Sequence, residues 1–205
     1  MAVHIALHEI GVPFEARPVS LGKKETRTPA FLALNPAGKV PTLLVDGTPL
    51  TEVAGCLFYL AKRFPEAGLL PRDNIAAEAH AVSWMSFIAS TAHPARRQGL
   101  DHVTEVWSLA NLKLGDKGWA LGSYSVVDIH LFRLYWRMIN APQPHPVGLA
   151  NLDAHYATMM ARPAVQRTIE IESRIGYELP SQRANFHFLF NMLRHCGISV
   201  IVGAT

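Results

Sequence analysis

The sequence predicts an α+β protein in which a small mixed unit precedes a larger all-helical domain. Apolar spacing and turn residues give the order helix, strand, helix, strand, strand, helix over the first 64 residues. The segment PEAGLLPRDN (65–74) is rich in Pro, Gly and polar residues, as linkers are. Beyond it, apolar residues recur at helical spacing as far as about Arg174. We therefore predict a mixed domain over 1–66, an all-α domain over 74–180 and an atypical tail over 181–205.

The composition excludes several classes of protein. Of the 205 residues 49% are hydrophobic and only 17% are charged, which indicates heavy burial and excludes a disordered chain. The net charge of +3 is scattered rather than gathered in a basic run, so no nucleic-acid partner is expected. Two cysteines make no disulfide framework, which favours a reducing compartment. With no signal-peptide pattern and no apolar run long enough for a bilayer, we expect a cytoplasmic protein without a membrane partner.

The first three elements carry clear local signals. One apolar helical face stands at the N-terminus and is followed by Gly11, a residue favoured at helix C-caps. PFEARPVSL (13–21) predicts a strand, in which Pro18 indicates an edge or a bulge. TPAFLALNP (28–36) predicts a short helix with Pro29 in its first turn.

The stretch NPAGKVPTLLVDGTPLTE (35–52) joins two short strands tightly before a helix. Asp46-Gly47 is a hairpin signal, and a helix is predicted from about Thr51 to Phe64. The spacing indicates that a backbone edge and a helix N-terminus converge on one small polar ligand.

Within the helical domain, YSVVDIHLFRLYWRMI is apolar nearly all round and predicts a central buried helix. It opens with a capping box formed by Ser125 and Asp128, which we interpret as structural. By contrast, the tail SQRANFHFLFNMLRHCGISVIVGAT is aromatic and β-branched, ends in an apolar run, and receives no predicted role.

These features together resemble the cytosolic glutathione transferases, and most closely their bacterial beta class. The resemblance rests on NPAGKVPTLLVDGTPLTE, YLAKRFPE, WMSFIASTAH, YSVVDIHLFRL and MMARPAVQ, and covers residues 2 to about 174. It implies a thioredoxin-like N-terminal domain, an all-helical C-terminal domain and a two-fold homodimer. It also implies glutathione as co-substrate, with no cofactor and no metal.

The resemblance assigns a glutathione site to the mixed domain. Val40 would pair through its backbone with the cysteinyl unit of glutathione, and Pro41 would be cis. Glu52 and Val53 would hold the γ-glutamyl group at a helix N-terminus. Lys24 would lie near the glycyl end.

The helical domain would complete the pocket with Ser86, Ser90 and His93. His93 matches the position of the active-site histidine in the beta class and is our candidate catalytic residue.

Three departures from the family pattern stand out. Residue 53 is Val where Ser or Gly is usual, and Pro94 replaces the Lys expected after His93. The chain also begins directly in the first helix, without the first strand and the loop that carries the sulfur-contacting Cys, Ser or Tyr. We therefore expect an opened core and no sulfur-activating residue, because neither Cys56 nor Cys196 is a credible substitute.

Each candidate residue also has a plainer interpretation. Val40-Pro41 could be an ordinary turn, Glu52 an acidic residue of a helix first turn, and Lys24 a solvated charge. His93 could simply end a helix.

Two further patterns leave alternatives open. His4 and His8 could bridge a metal, although the His-Glu-x-x-His order is absent. Arg96 and Arg97 could attract an acidic co-substrate or form a solvated helix end.

The leading functional hypothesis is conjugation of the glutathione thiol to small hydrophobic electrophiles. The alternative is a non-catalytic or truncated glutathione-transferase-like binding protein with low or absent turnover. A thioredoxin-like disulfide reductase is disfavoured, because the sequence has no Cys-x-x-Cys.

Overall fold

The computed structural model describes residues 1–72, 74–175 and 197–204. In its mixed part, two helices and three strands precede the helix Val53–Arg63. The elements in chain order are α1 (Ala2–Ile10), β1 (Glu15–Ser20), α2 (Pro29–Leu34), β2 (Thr42–Val45), β3 (Thr48–Thr51), α3 (Val53–Arg63), α4 (Ile75–Phe87), α5 (His93–Ala95), α6 (Leu100–Leu114), α7 (Val126–Ile139), α8 (Ala150–Met160), α9 (Pro163–Ile175) and β4 (Ile198–Ala204).

The four strands form one sheet in the order β1-β4-β2-β3. β4 runs parallel to β1 and antiparallel to β2, and β2 and β3 form the hairpin. Thr42 pairs with Thr51 on one side and with Ile201 on the other. The start of β2 and the ends of β1, β3 and β4 therefore lie at the same end of the sheet.

The expectation of an opened core is wrong, because β4 occupies an inner position of the sheet. Val200 and Val202 lie in the main hydrophobic core, at 0% and 2% exposure. Ile201 instead packs with Phe31 and Leu44 on the other side of the sheet. A β-branched strand that is apolar on both faces is typical of a central strand. Part of the tail that received no role thus completes the sheet, whereas the rest of residues 181–205 lies outside the described residues.

The local predictions in the mixed part are confirmed. Gly11 caps α1 in the left-handed conformation, with φ 78°. Pro18 lies on β1, an edge strand, where a residue without an N–H is tolerated. Asp46 and Gly47 both have positive φ, as the tight hairpin turn requires. The sheet with its helices, followed by α4 to α9, has the predicted α+β architecture.

Contacts between α1 and the helical part join the two parts around one core. Arg162 donates to Glu9 through Nε at 2.7 Å and through Nη2 at 2.9 Å. Tyr124 donates its hydroxyl to Glu9 at 2.9 Å, and the Arg162 guanidinium lies 3.5 Å from the centre of the Tyr124 ring. α1 also packs against α3, α7 and α9.

The capping box at the start of α7 is confirmed. Asp128 is fully buried and accepts hydrogen bonds from the backbone N–H and hydroxyl of Ser125 and from the Ala120 N–H. His155 Nε2 lies 3.1 Å from the same carboxylate. These contacts give Ser125 and Asp128 a structural role at the centre of the helical part.

The aromatic residues of the helical part mostly fill the core. Trp84, Trp107, Phe132, Tyr135 and Trp136 are all buried. Within the described residues, no helix combines the length and the apolar character that crossing a membrane requires.

Candidate functional site

The loop before β2 is held by Asn35, whose role the sequence analysis missed. This side chain is 4% exposed. Its Nδ2 donates to the Lys39 C=O at 2.7 Å and to Thr42 Oγ1 at 3.3 Å, while its Oδ1 accepts from the Ala37 N–H at 3.1 Å. An Asn followed by Pro is a turn signal and was the available clue. Asn35 thereby fixes the backbone that leads into Val40.

The Val40–Pro41 peptide bond is cis, as the resemblance implied. Val40 is half-buried and precedes the first ladder pair of β2, so its position lies outside both strand ladders. Its neighbour Gly38 adopts φ +61°, and a Cβ there would press against the Arg27 guanidinium and the Thr26 carbonyl. The backbone edge at Val40 is therefore closely determined by its surroundings.

Glu52 is the N-cap residue of α3 rather than part of its first turn. Its backbone has φ 65° and ψ 129°, which is unusual for a residue with a side chain. Strained backbone of this kind costs of order 1–3 kcal/mol and clusters at functional sites. The Glu52 side chain is exposed and forms no hydrogen bond or ion pair with another described residue.

The first turn of α3 presents unsatisfied backbone donors. α3 begins at Val53, and the side chain of its N-cap residue, Glu52, makes no hydrogen bond to the N–H groups of this turn. A helix N-terminus in this state carries a partial positive charge and is suited to bind a carboxylate.

The structure brings the backbone edge and the helix N-terminus together. Because Thr42 pairs with Thr51, Val40 and Glu52 follow directly from two residues that face each other. Lys24 lies in the turn after β1, which also ends at this end of the sheet. The structure thus places the backbone edge at Val40 and Pro41 beside the helix start at Glu52 and Val53. That these residues hold a ligand stays a prediction.

Ser86 lies close to the start of α3. An open cavity of about 240 Å³ is lined by Ala54, Gly55, Phe58, Val82, Met85 and Ser86. The cavity therefore joins the first turn of α3 to the face of α4 that carries Ser86.

Ser90 and His93 lie further along the same helical rod. A π-helical turn, Ile88–Ala92, continues α4 into α5, and Ser90 donates its hydroxyl to the Ser86 C=O at 2.8 Å. Although its side chain is exposed, His93 has its pKa lowered to about 4 by partial burial of the ring and by nearby arginines. His93 is therefore a neutral imidazole at pH 7.

Cys56 does not supply a reactive thiol. It is buried in α3, where its Sγ lies 3.4 Å from the Leu50 C=O, and burial raises the pKa of the thiol to about 12. A thiol that stays protonated is a poor nucleophile. Cys196 lies outside the described residues.

Comparison with known proteins bears on the family of this chain. The family model of the glutathione S-transferase N-terminal domain matches residues 1–63. Glutathione S-transferase GstA of Escherichia coli O157:H7 is 30% identical over 191 residues, covering 84% of this chain and 93% of the relative.

Solved structures share most of the fold. A bacterial beta class glutathione S-transferase of Sphingomonas chungbukensis is 32% identical with a TM-score of 0.71, covering 83% of this chain and 92% of its own. A sphingomonad glutathione S-transferase complexed with glutathione is 30% identical with a TM-score of 0.73, covering 84% of this chain and 93% of its own. The relatives and the fold agree: the chain belongs to the glutathione S-transferase family.

Proposed function

We propose that this chain binds reduced glutathione between Val40 and the N-terminus of α3 and directs its thiol to small hydrophobic electrophiles. The observation that carries the proposal is the pairing of Thr42 with Thr51, which sets the cis peptide bond at Val40–Pro41 beside the uncapped helix start. Relatives with this fold have been solved with glutathione bound.

Each part of the tripeptide has a matching group in the site. The γ-glutamyl carboxylate accepts from the backbone N–H groups at Val53 and beyond, where the helix dipole favours an anion. The Glu52 carboxylate pairs with the γ-glutamyl ammonium. The cysteinyl backbone adds to the edge at Val40 as a short extra strand. Lys24 attracts the glycyl carboxylate.

The reaction that fits this arrangement is nucleophilic substitution. The thiolate sulfur forms a bond to the electrophilic carbon, the leaving group departs with the bonding electron pair, and the thiol proton is released to water. Ser86, Ser90 and His93 line the side of the second substrate. The gain in rate comes from holding sulfur and carbon close together.

A second candidate is glutathione binding without turnover. Cys56 favours it, because the high pKa of its buried thiol excludes this residue as a partner of the glutathione sulfur. His93 also remains neutral at pH 7 and brings no positive charge to a thiolate.

Two assays on the full chain separate these candidates. Retention on immobilised glutathione, compared with Glu52→Ala, tests the binding site: weaker retention of the variant is expected, and unchanged retention counts against it. Turnover of glutathione with 1-chloro-2,4-dinitrobenzene then decides between the candidates. Release of conjugate above the uncatalysed rate supports the transferase, and none supports the binding protein.

We also propose that the protein is a cytoplasmic homodimer. Two large apolar residues of α4, Ile75 and Val82, are 87% and 47% exposed. Exposed apolar residues on one helix favour burial against a second copy. Light scattering after gel filtration should give twice the mass of the chain, and Val82→Glu should shift the protein toward monomer.

A further inference from the structure

β4 continues past the point where its ladder with β2 stops. The β2–β4 ladder ends at the pair Thr42–Ile201, whereas the β1–β4 ladder continues as far as Ser20–Ala204. Residues 202–204 of β4 therefore lie beyond the first residue of β2. This is the end of the sheet that carries the candidate glutathione site, so the end of β4 borders that site.

The N–H of Gly203 faces the side of β2. The Gly197 C=O accepts from the Asp46 N–H at 2.9 Å, so Gly197 turns its backbone polar groups toward β2. In an antiparallel ladder every second residue does the same, which includes Ile201 and then Gly203. The register, continued by two residues, sets Gly203 opposite Val40. Because the ladder ends at Ile201, Gly203 has no ladder partner on β2.

The order of the strands sets the end of β4 in the path of the bound tripeptide. In the proposed site, the γ-glutamyl group lies at the start of α3, the cysteinyl unit at Val40, and the glycyl end near Lys24. The first of these follows β3, the second precedes β2 and the third follows β1. Since β4 lies between β2 and β1, a peptide that extends from α3 to Lys24 crosses the end of β4 next to its cysteinyl unit.

The length of the tripeptide agrees with this path. Neighbouring strands are about 4.8 Å apart, so three spacings separate β3 from β1 by about 14 Å. Three extended residues cover about 10 Å, and the long side chain of Lys24 covers the remainder. The cysteinyl unit is the middle one of the three and therefore lies beside β2 and β4. We expect its sulfur within one strand spacing of Gly203.

A glycine at this position suits a backbone contact with sulfur. Without a Cβ, its N–H can approach a ligand closely. A hydrogen bond donated to the charged form of a group favours that form. A backbone N–H that contacts the sulfur therefore favours the thiolate, which is the nucleophile, over the thiol.

We propose that the backbone N–H of Gly203 donates a hydrogen bond to the sulfur of bound glutathione and stabilises its thiolate. The thiol proton leaves to water, and the sulfur keeps the electron pair that attacks the electrophile. This inference rests on the proposed function, because it requires glutathione at Val40. It assigns to the backbone of β4 the role of the sulfur-activating residue that the sequence analysis did not find.

The test measures the thiol pKa of glutathione bound to the full chain, from the ultraviolet absorbance of the thiolate as the pH is raised. We expect wild type to lower this pKa by about one unit or more relative to free glutathione, as a hydrogen bond to a charged group does. Gly203→Pro removes the donor and should return the pKa to the free value. Gly203→Ala keeps the donor and should keep a lowered pKa.

S-methylglutathione, which has no thiol, is the matched control ligand. Gly203→Pro should bind it as tightly as wild type does, which shows that the variant keeps a folded site. A lowered thiol pKa in a Gly203→Pro variant that binds S-methylglutathione overturns the proposal. So does a wild type that binds glutathione and leaves its thiol pKa unchanged.

A measurement on wild type covers the case in which Gly203→Pro does not fold. The NMR signal of the Gly203 amide should shift as the thiol of bound glutathione ionises, and should not shift over the same pH range with S-methylglutathione bound. An amide that responds alike to both ligands overturns the proposal. If wild type binds neither ligand, the proposed function itself fails, which distinguishes that failure from the failure of the Gly203 contact.

Discussion

Thr42 and Ile201 face each other across the antiparallel ladder of β2 and β4. Through this pair, a strand from the far end of the chain supports the start of β2, two residues after Val40. The candidate glutathione site therefore depends on a segment that is distant from it in sequence. The pairing also accounts for the closed core of the mixed part.

The inner position of β4 predicts a large effect of Val200→Asp. Val200 is fully buried and pairs with Leu43, so an aspartate there would place an unpaired charge in the core. The free energy of unfolding should fall by about 3 kcal/mol or more. Urea unfolding followed by circular dichroism measures the loss.

Leu112→Asp is the matched control, because Leu112 is 75% exposed on α6 and should tolerate the charge. Equal stability of Val200→Asp and wild type would show that β4 does not occupy this inner position of the sheet.

The contacts of Asp128 predict that replacing this residue lowers the stability of the helical part. Asp128→Ala leaves the N–H groups of Ala120 and Ser125 buried without their acceptor, and His155 without its partner. We expect a loss of about 3 kcal/mol, because several buried donors lose one charged acceptor. Asp153→Ala is the comparison, since its carboxylate accepts from the Tyr135 hydroxyl alone among the described residues. Similar losses in both variants would contradict the central role of Asp128.

His130 predicts a loss of stability in acid. Burial lowers the pKa of His130 to about 3, whereas an unfolded histidine has its ordinary value near 6.5. Between these two pH values, the unfolded chain therefore binds a proton at residue 130 and the folded chain does not. The His130 contribution is complete above pH 6.5 and is lost as the pH falls toward 3.

The measurement is the free energy of unfolding between pH 7 and pH 4. His130→Gln should flatten its decline by at most about 1.4 kcal/mol per pH unit. His80→Gln, at an exposed position of α4, should leave the decline unchanged. Parallel curves for His130→Gln and wild type would show that His130 is protonated in the folded protein.

The backbone of Glu52 predicts opposite effects on stability and binding. Glycine adopts φ 65° without steric cost, so Glu52→Gly should raise the free energy of unfolding by about 1 kcal/mol. Without the carboxylate, affinity for glutathione should fall about tenfold or more. Glu52→Ala serves as the control, because it loses the carboxylate but keeps the strained Cβ. A stability gain in Glu52→Ala as large as in Glu52→Gly would refute the strain.

Elements with local signals were predictable from the sequence, whereas the partner of β2 was not. The helix ending at Gly11, the Asp46-Gly47 turn and the Ser125 cap are each determined by neighbouring residues. β4 has the composition of a buried strand, but strand composition does not say which strand it pairs with. Pairing across most of the chain is a tertiary property, and it overrode the expectation of an open sheet.

The same division holds for the site. The proximity of Val40 and Glu52 could be predicted from the sequence, because a hairpin of known register joins them. The effect of the Arg133 and Arg137 charges on His93 could not be predicted, because it depends on how α7 packs beside the π-helical turn. The role of Asn35 was missed because its three hydrogen bonds form only once the loop is folded.

The central claim is that glutathione lies between Val40 and the start of α3. A crystal structure of the full chain soaked in reduced glutathione tests it most directly. The account predicts the cysteinyl backbone paired with Val40, and the γ-glutamyl carboxylate at the N–H groups of the first turn of α3. An empty crevice, or glutathione bound elsewhere with Val40 facing away from it, would contradict the account.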